Sequence, residues 1–347
     1  MYNTIVIGAG QAGLAVGYYL KQMNQHFLIL DKGQEVGESW INRYDSLVLF
    51  TPRMYNALPA LPFEGEAHGL PDKNEVVSYL KKYALHFKLP IQFKTEVIQV
   101  EQKEGIFHIE TNQGVFQSHN LIIATGAFQT PYIPAMSKNI SKEVVQLHST
   151  QYRNPSQLRD GNVLVVGGGN SGAQIAVELS KERKTYLAIS KKLSYLPTIL
   201  LKKSIFWWFD RLGLLKADAN SFIGKLIQKK GDPIFGYELQ DAIKNNKVFM
   251  KPKVIDGKNT DITFNDQTTL NVDNIIWATG FISIFPWLDI NGVVSDDGKV
   301  IHQRGVTDVK GLYFIGLPWQ YRRGSGLLQG VGYDAEFIVQ HLKKYYN

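Results

Sequence analysis

The sequence predicts an α/β fold that is built from two similar units, and two features of the chain support this prediction. The first is the pattern G-x-G-x-x-G, which follows a short apolar segment at 4–7 and again at 163–166. The second is an apolar segment that ends in Ala-Thr-Gly, at 120–126 and again at 274–280. A glycine turn between an apolar strand and a helix is typical of a βαβ unit, so each unit should contain a parallel sheet covered by helices.

Each glycine of the pattern has its own physical role. The first allows the tight turn, the second lets the backbone approach a pyrophosphate, and the third lets the helix pack closely on the strand. The helix then presents free N–H groups and the positive end of its dipole to phosphate. Because the whole unit occurs twice in the same order, we expect two Rossmann-like dinucleotide-binding domains. The candidate contacts are Gly8, Ala9, Gly10, Gln11, Ala12 and Gly13 in the first unit, and Gly167, Gly169, Asn170, Ser171 and Gly172 in the second.

The end of the second strand in each unit predicts which nucleotide binds there. This strand ends 23 residues after the first glycine, at Asp31 in the first unit and at Ser190 in the second. A carboxylate here accepts hydrogen bonds from ribose hydroxyls and repels a 2′-phosphate, so Asp31, followed by Lys32, favours FAD or NAD(H). The hydroxyl of Ser190 and the ammonium groups of Lys191 and Lys192 favour the 2′-phosphate of NADPH. The alternative for these two lysines is a solvated turn.

The order of the units predicts that the first domain is discontinuous. We expect an FAD-binding domain at 1–150 and 281–347, and an NADPH-binding domain inserted at 155–280. One crossing between the domains would be 148–155, and the other would follow Gly280. This layout places the two cofactors across an interdomain cleft, which is a usual place for ligands.

Four further segments resemble those of the flavin-containing monooxygenases, and in particular the compact bacterial branch of that family, which includes oxidoreductases linked to cation efflux. They are GESW at 37–40, RYDSLVLFTP at 43–52, HSTQYRNP at 148–155, and the C-terminal segment 311–342. The resemblance implies bound FAD and NADPH, with Tyr44 packed on the FAD beside Trp40. The further FAD contacts that we expect are Gly37, Trp40, Thr51, Pro52, Val97, Ala124, Thr125, Gly126, Gly316, Gly330 and Val331, and the further NADPH contacts are Ala278, Thr279 and Gly280.

The resemblance also implies a reaction. In this family NADPH passes a hydride to the flavin, and a C4a-hydroperoxyflavin then transfers one oxygen atom to a small soft nucleophile or a ketone. The candidate catalytic residues are Thr51, His148 and Arg322. His148 is interpreted as orienting a domain crossing or contacting NADPH, and the alternative is a structural hydrogen-bonding role. For Arg322, as for Arg323, the alternative is a solvated loop position.

Departures from the family pattern keep a second function open. Lys142 and Val144 stand where the family has Phe and Gly, and no Asn occurs between Asp45 and Tyr55, where many members use one to hold the oxygen adduct. These departures favour an NADPH-dependent flavin reductase or oxidase that passes electrons to a quinone, a small redox protein or oxygen. A disulfide reductase is excluded because the chain has no cysteine. The third alternative is a nucleotide-bound accessory protein at a membrane transporter.

The positive charge of the chain is concentrated in one region. The net charge is +7, and the segment 181–253 contains 16 Lys and Arg against 6 Asp and Glu. Within it, residues 195–235 contain tryptophans, lysines and apolar residues, which predicts a partly helical insert. We interpret the insert as a cap over the cleft, with a substrate-channel lid and a weak membrane-surface contact as alternatives.

The remaining expectations concern partners and location. A small-molecule substrate and oxygen are expected, without nucleic acid, and a homodimer is left open. Since His, Asp and Glu show no metal-ligand spacing, we expect no metal. The lack of cysteine, of an apolar run of about 18 residues and of a secretory signal before the first strand favours a cytoplasmic protein.

Overall fold

The chain folds into two α/β units, as the sequence predicts. The computed structural model describes residues 1–344, so the last three residues of the expected segment 281–347 lie outside the described part. The first unit contains the strands β1 (Tyr2–Ile7), β2 (Phe27–Leu30), β3 (Ile91–Gln92), β4 (Val97–Lys103), β5 (Ile106–Thr111) and β6 (Gly114–Ile123), and the helices α1 (Gln11–Gln22), α2 (Glu38–Ile41) and α3 (Lys73–His86).

A parallel sheet in the order β3-β2-β1-β6 forms the centre of the first unit. The first half of β6 pairs antiparallel with β5, which pairs with β4, and its second half lies parallel to β1. All residues of β2 and the last four of β1 are buried, as expected for parallel strands covered on both faces. The first glycine turn therefore follows the central strand at the carboxyl edge of the sheet, where nucleotides bind in such folds.

The second unit repeats this plan. After a short strand β7 (Thr130–Pro131), it contains β8 (Val145–His148), β9 (Val163–Val166), β10 (Thr185–Ala188), β11 (Tyr195–Leu196), β12 (Ile199–Leu200), β13 (Lys203–Ser204), β14 (Ile234–Phe235), β15 (Val248–Lys251), β16 (Val254–Lys258), β17 (Asp261–Phe264), β18 (Thr269–Asn271) and β19 (Asn274–Trp277), and the helices α4 (Asn170–Leu179), α5 (Ile205–Arg211), α6 (Phe222–Lys230) and α7 (Glu238–Lys244). Its parallel sheet has the order β15-β10-β9-β19-β8, and β16, β17 and β18 form a separate antiparallel sheet.

The chain then returns to the first unit. Strand β20 (Phe281–Ile282) pairs antiparallel with β7, so the two crossings between the units are joined by backbone hydrogen bonds. Strand β21 (Leu312–Phe314) adds to the first sheet beside β6, and helix α8 (Leu328–Lys343) packs against α1. Four parallel strands thus have the same order in the two units, β3-β2-β1-β6 and β15-β10-β9-β19. A fifth parallel strand lies at the same edge of each sheet, but it comes from the end of the chain in the first unit (β21) and from before the glycine turn in the second (β8).

The boundary between the units differs from the prediction, which extends the first domain to residue 150. Strand β8 lies in the second sheet, where Val145 to His148 pair in parallel with Asn274 to Trp277. Ile140 and Val144 are also buried in the core of the second unit. The sequence around residue 145 could not show this, because the partner strand lies more than a hundred residues further along the chain.

Within residues 1–344, no helix has the length and apolarity that crossing a membrane would require. The same part of the chain contains no group of three or more His, Asp or Glu residues that could hold a metal ion.

Candidate functional site

The first glycine loop has a backbone that only glycine can follow at two of its positions. Gly8 has φ +107°, and a Cβ atom there would lie 2.7 Å from the carbonyl oxygen of Ala124. A Cβ on Gly13 would lie 1.8 Å from the carbonyl oxygen of Gly8. At Gly10, by contrast, a Cβ would meet no atom within 4 Å. This is the arrangement that a pyrophosphate cradle needs: a tight turn, a closely packed helix and an open middle position.

Asp31 lies beside this loop. Its Oδ2 accepts a hydrogen bond from the backbone N–H of Ala9 at 2.5 Å, and its Oδ1 accepts one from Gly33 at 2.7 Å. A carboxylate has about four acceptor positions, so Asp31 retains capacity for ribose hydroxyls. Lys32 is exposed next to it. The segment that leads to Val97 lies along the same strand end, since the N–H of Thr95 donates to the carbonyl oxygen of Asp31 at 2.9 Å.

The second glycine loop has the same geometry as the first. Gly167 has φ +120°, and a Cβ there would lie 2.2 Å from the carbonyl oxygen of Ala278. A Cβ on Gly172 would lie 2.0 Å from the carbonyl oxygen of Gly167, whereas a Cβ on Gly169 would meet nothing within 4 Å. The second unit therefore has its own phosphate cradle.

The residues that follow the second strand differ between the units. Ser190, Lys191 and Lys192 are all exposed, and their turn lies over the second glycine loop. A Cβ on Gly168 would lie 2.8 Å from a methyl carbon of Leu193 and 2.9 Å from one of Ile189. The turn that carries Ser190, Lys191 and Lys192 is thus joined to the cradle through its flanking residues Ile189 and Leu193, and it has no carboxylate at the position of Asp31.

The segment that returns to the first unit after β21 also lines the first site, beside the glycine loop and the Ala-Thr-Gly turn. Gly316 has φ +80°, and a Cβ there would lie 3.1 Å from Cβ of Ala12 and 3.9 Å from Cα of Gly126. Gly126 itself has φ +70° and open space around it, as Gly280 has in the second unit with φ +85°. The glycine loop, the Ala-Thr-Gly turn after β6 and the segment after β21 thus meet at the carboxyl edge of the first sheet.

Helix α8 begins at this meeting point. A Cβ on Gly330 would lie 2.6 Å from backbone atoms of Gly324, so the preceding loop packs directly on the first turn, where Val331 is fully buried. Gln329 was not predicted as a site residue. Its Oε1 is buried and has no hydrogen-bond partner in the described part of the chain. An unsatisfied acceptor at a helix N-terminus fits a bound group that supplies an N–H or O–H donor.

The side chain of Gln11 joins three parts of this site. Its Oε1 accepts a hydrogen bond from the indole N–H of Trp40 at 3.3 Å, and its Nε2 lies 3.5 Å from the carbonyl oxygen of Gly326. Gly37 precedes Trp40 with φ +86° and begins α2. Trp40 therefore lies beside the first cradle, as the resemblance implies.

Tyr44 differs from the expectation that it packs on the FAD. Its ring is buried in the core of the second unit, with Tyr152 and Ala173 among its neighbours. Its hydroxyl donates to Oε1 of Gln174 at 2.9 Å, and burial raises the pKa of Tyr44 to about 12. Tyr44 thus attaches the first unit to helix α4 of the second.

Thr51 and Pro52 are buried, and Phe50 and Tyr55 on either side of them contact the insert. The carbonyl oxygen of Thr51 accepts from Nδ2 of the buried Asn56 at 2.7 Å, and that of Pro52 accepts from the same nitrogen at 3.3 Å. The ring of Phe50 stacks on Phe235 at a centroid distance of 4.6 Å.

The insert covers this segment and contacts both units. Phe206 and Phe235 of the insert pack with Phe50 in one apolar cluster. The hydroxyl of Tyr55 donates to Asp210 at 3.2 Å. On the second unit, the amide of Asn170 donates to Pro233 at 3.0 Å and accepts from Phe235 at 3.1 Å, so this predicted NADPH contact holds the insert with its side chain.

The insert also contacts the loop before α8. The guanidinium of Arg323 pairs with Asp232 at 2.9 Å, and the backbone N–H of Ala219 donates to the carbonyl oxygen of Tyr321 at 2.7 Å. Arg322 is buried over the ring of Tyr333, 4.4 Å from its centroid, and its Nε has no partner within the described residues. Neither arginine therefore takes the solvated position that was the alternative.

His148 is fully buried at the end of β8, beside the second crossing, and its hydrogen bonds define its tautomer. Its Nδ1 accepts from the backbone N–H of Thr150 at 3.2 Å, so the hydrogen is on Nε2, which donates to the carbonyl oxygen of Gly280 at 3.0 Å. Burial lowers the pKa of His148, and the hydrogen bond to Gly280 opposes this. A neutral imidazole with both nitrogens engaged fits the crossing role better than proton transfer.

Arg43 also contacts the crossings between the units, and it was not predicted from the sequence. Its guanidinium lies 5.2 Å from the ring centroid of Phe128 and 5.1 Å from that of Phe281, and the two rings meet edge-to-face at 5.0 Å. These phenylalanines follow the Ala-Thr-Gly turns of the two units. Arg43 is the first residue of the segment RYDSLVLFTP, which resembles a family segment, so the sequence could have indicated that this residue matters. Its aromatic partners could not be predicted, because they lie far away in the sequence.

Comparisons with known proteins agree with this geometry. The family described as "Pyridine nucleotide-disulphide oxidoreductase" matches residues 5–195, and the family described as "Flavin-binding monooxygenase-like" matches residues 194–310. The uncharacterized oxidoreductase CzcO of Bacillus subtilis (strain 168) is 61% identical over 342 residues, which are 99% of each chain. The chain belongs to the flavin-containing monooxygenase family.

Relatives that are named for an activity also align with nearly the whole chain. Indole-3-pyruvate monooxygenase YUCCA4 of Oryza sativa subsp. japonica is 27% identical over 388 residues, covering 98% of this chain and 87% of that protein. A flavin-containing monooxygenase from Stenotrophomonas maltophilia has a solved structure with 25% identity and a TM-score of 0.84, covering 100% of this chain and 99% of that one. This flavoenzyme is therefore an oxidoreductase with FAD and NADPH as cofactors, as the two cradles predict.

Proposed function

We propose that this flavoenzyme is an NADPH-dependent monooxygenase that acts through a C4a-hydroperoxyflavin and transfers one oxygen atom to a small soft nucleophile or a ketone. The observation that carries the proposal is the pair of cradles in one chain, an acidic one at Asp31 and a basic one at Ser190–Lys192. Monooxygenases that align with nearly the whole chain support the reaction type. The rice relative is named for indole-3-pyruvate, which contains a ketone.

In this proposal the sheet of β1–β6 and β21 forms the FAD-binding domain, and the sheet of β8–β10, β15 and β19 forms the NADPH-binding domain. The enzyme would work in the cytoplasm. NADPH supplies the hydride and FAD supplies its acceptor and the site of oxygen activation. The open positions at Gly10 and Gly169 would receive the two pyrophosphates, and Oε1 of Gln329 would accept a hydrogen bond from the bound FAD.

Several side chains then control geometry and water. Phe206 and Phe235 of the insert pack with Phe50, which directly precedes the buried Thr51, and this aromatic cluster would exclude water from this side of the site. His148 contacts the second crossing and Arg43 contacts both crossings, so these residues would fix the placement of the two bound cofactors on either side of the cleft. Arg322 is buried near the start of α8, and its Nε, which has no partner within the described residues, would suit an acceptor on the substrate or on a cofactor.

A reductase or oxidase is the second candidate, and a specific observation favours it. The segment 45–55 has no asparagine, and Asn56 donates its amide to the carbonyls of Thr51 and Pro52, so this amide does not replace the missing one. Without such a donor, the reduced enzyme would react with oxygen or a quinone and release no oxygenated product.

Stopped-flow oxidation of the reduced enzyme separates the candidates. The purified holoenzyme is reduced with NADPH without oxygen and then mixed with oxygen, while the flavin absorbance and peroxide are recorded. A monooxygenase should return slowly to oxidised flavin, and ¹⁸O from ¹⁸O₂ should enter the product when a panel of thioethers and ketones is added. Immediate reoxidation with stoichiometric peroxide and no labelled product would support the reductase or oxidase. If NADPH does not bleach the flavin, both candidates are contradicted.

A further inference from the structure

Helix α6 in the insert has an unusual orientation. Gly224 is the buried residue of α6 and packs on the preceding turn of the insert, since a Cβ there would lie 2.0 Å from the carbonyl oxygen of Asp218. Phe222 and Leu226 stand two residues to either side of Gly224, so they lie about 160° around the helix from it. Phe222 is 83% exposed and Leu226 is 45% exposed. An ordinary surface helix turns its apolar side inward, whereas α6 turns two large apolar side chains toward solvent.

Lysines surround this apolar face. Lys225, Lys229 and Lys230 are exposed on α6, and the helix contains no acidic residue. The acids that flank it are engaged elsewhere: Asp232 pairs with Arg323, and Asp218 accepts from the backbone N–H of Asn220 at 2.7 Å. The positive charge around the apolar residues is therefore not neutralised by neighbours on the helix.

A second element of the insert has the same composition. The hairpin β12–β13 turns at Leu201 and Lys202, which have φ +49° and +62°. Such values are rare for residues other than glycine, asparagine and aspartate. The turn presents Leu201, which is 77% exposed, next to the exposed Lys202 and Lys203. Two separate elements of one insert thus combine exposed large apolar side chains with adjacent lysines.

We infer that the insert docks on an anionic lipid bilayer, with Phe222 and Leu226 of α6 entering the interface and the lysines contacting lipid phosphates. Apolar residues flanked by lysines are the composition of interfacial helices, and each lysine near an anionic surface adds attraction. A second copy of the chain fits this face less well. In a twofold contact the same patch meets itself, which would bring the lysines of both copies together.

Cosedimentation with vesicles tests the inference. The holoenzyme is mixed with vesicles of phosphatidylcholine alone or of equal parts phosphatidylcholine and phosphatidylglycerol. We expect binding to the mixed vesicles that falls at high salt, and little binding to phosphatidylcholine alone. Replacing Phe222 and Leu226 together by Ser should weaken binding about tenfold or more. The matched control is Leu85→Ser, since Leu85 is 79% exposed on α3, and it should bind like the wild type.

A second variant changes only the lysines, so that the test does not depend on whether the variant with two serines folds correctly. Replacing Lys225, Lys229 and Lys230 by Gln should weaken binding to the mixed vesicles by about tenfold or more. The inference is overturned if the wild type does not bind the mixed vesicles, or if both variants bind as the control does. It is also overturned if light scattering shows a dimer that the two serines convert to a monomer. Reduction of the flavin by NADPH is measured separately, so loss of vesicle binding is distinguishable from failure of the proposed reaction.

Discussion

The two nucleotide-binding units of this enzyme share a backbone and differ in one strand end. In both, a glycine with φ above +100° turns the chain, a second glycine is open, and a third touches the carbonyl oxygen of the first. The order of four parallel strands is also the same, whereas the fifth comes from a different part of the chain in each unit. After the second strand, however, Asp31 is held by the N–H groups of Ala9 and Gly33, whereas Ser190 to Lys192 form an exposed basic turn.

This difference shows that binding of the pyrophosphate and choice of the nucleotide depend on different parts of each unit. The glycine loop binds pyrophosphate through backbone groups and does not distinguish one dinucleotide from another. The choice of nucleotide depends on a few side chains at the ribose, which can change without altering the turn. A copied unit can therefore acquire a new cofactor, and the two copies in one chain can bind the donor and the acceptor of a hydride.

The largest effects are expected where a side chain would collide with the loop in either unit. Gly13→Ala and Gly172→Ala place a Cβ 1.8 Å and 2.0 Å from a carbonyl oxygen, and each should lower the free energy of unfolding by roughly 3 kcal/mol. Gly13→Ala should purify without FAD, whereas Gly172→Ala should keep FAD that NADPH no longer reduces. Urea unfolding measures the loss of stability, and the flavin spectrum measures bound and reduced FAD. If the two variants had the urea midpoint of the wild type, the close contact between the third glycine and the carbonyl oxygen of the first would be contradicted.

The middle glycines should affect ligands without affecting folding. At Gly10 and Gly169 a Cβ meets no protein atom, and both have φ and ψ values that alanine adopts readily. We expect urea midpoints near that of the wild type, with a loss of about 0.5 kcal/mol at most. FAD affinity should fall about tenfold or more in Gly10→Ala, and NADPH affinity by the same factor in Gly169→Ala, since the methyl group would meet the pyrophosphate. Equal effects of both variants on both cofactors would show that the assignment of the two units is wrong.

Reversing the charge of the basic turn should change coenzyme preference. Lys191→Glu should raise the KM for NADPH by about tenfold to a hundredfold, because a charged hydrogen bond contributes about 1.5–3 kcal/mol. The KM for NADH should change little. Lys32→Glu is the matched control, since Lys32 follows Asp31 as Lys191 follows Ser190. In the control, the ratio of the KM for NADPH to the KM for NADH should stay as in the wild type. If Lys191→Glu also leaves this ratio unchanged, the proposal that Lys191 binds the 2′-phosphate is contradicted.

The smallest effect concerns the crossing that joins the units. Burial lowers the pKa of His148, so the unfolded chain takes up its proton at a higher pH than the folded chain does. Stability should therefore fall as the pH falls below about 6.5. Protonation would also put a hydrogen on Nδ1, facing the N–H of Thr150. We expect wild type to lose about 1 kcal/mol more than His148→Gln between pH about 7.5 and 5.5.

Urea unfolding at the two pH values measures this difference. Comparison with the variant is needed because His302 and His341 also have pKa values lowered by burial, and buried Asp334 has a raised one that acts in the opposite direction. If the free energy of unfolding changes equally with pH in the wild type and in His148→Gln, His148 is not held neutral in the folded protein.

The parts of the site that were predictable are local in sequence. Gly8 to Gly13 and Gly167 to Gly172 form their turns from neighbouring residues, and Asp31 and Ser190 lie at a fixed distance along a βαβ unit. The contacts of Arg43 and Tyr44 were not predictable. Arg43 touches Phe128 and Phe281, and Tyr44 enters the core of the other unit, so both depend on how the units are placed.

The sequence by itself determined the two glycine turns, the order of the units and the charge at the end of each second strand, because strand period, glycine turns and charge are properties of neighbouring residues. Only the tertiary structure decided that β8 joins the second sheet, that Asn170 holds the insert, and that Oε1 of Gln329 is buried without a partner among residues 1–344. It also decided that α6 turns Phe222 outward. Each of these depends on pairings between distant segments, whose free energies are settled only when the whole chain has packed.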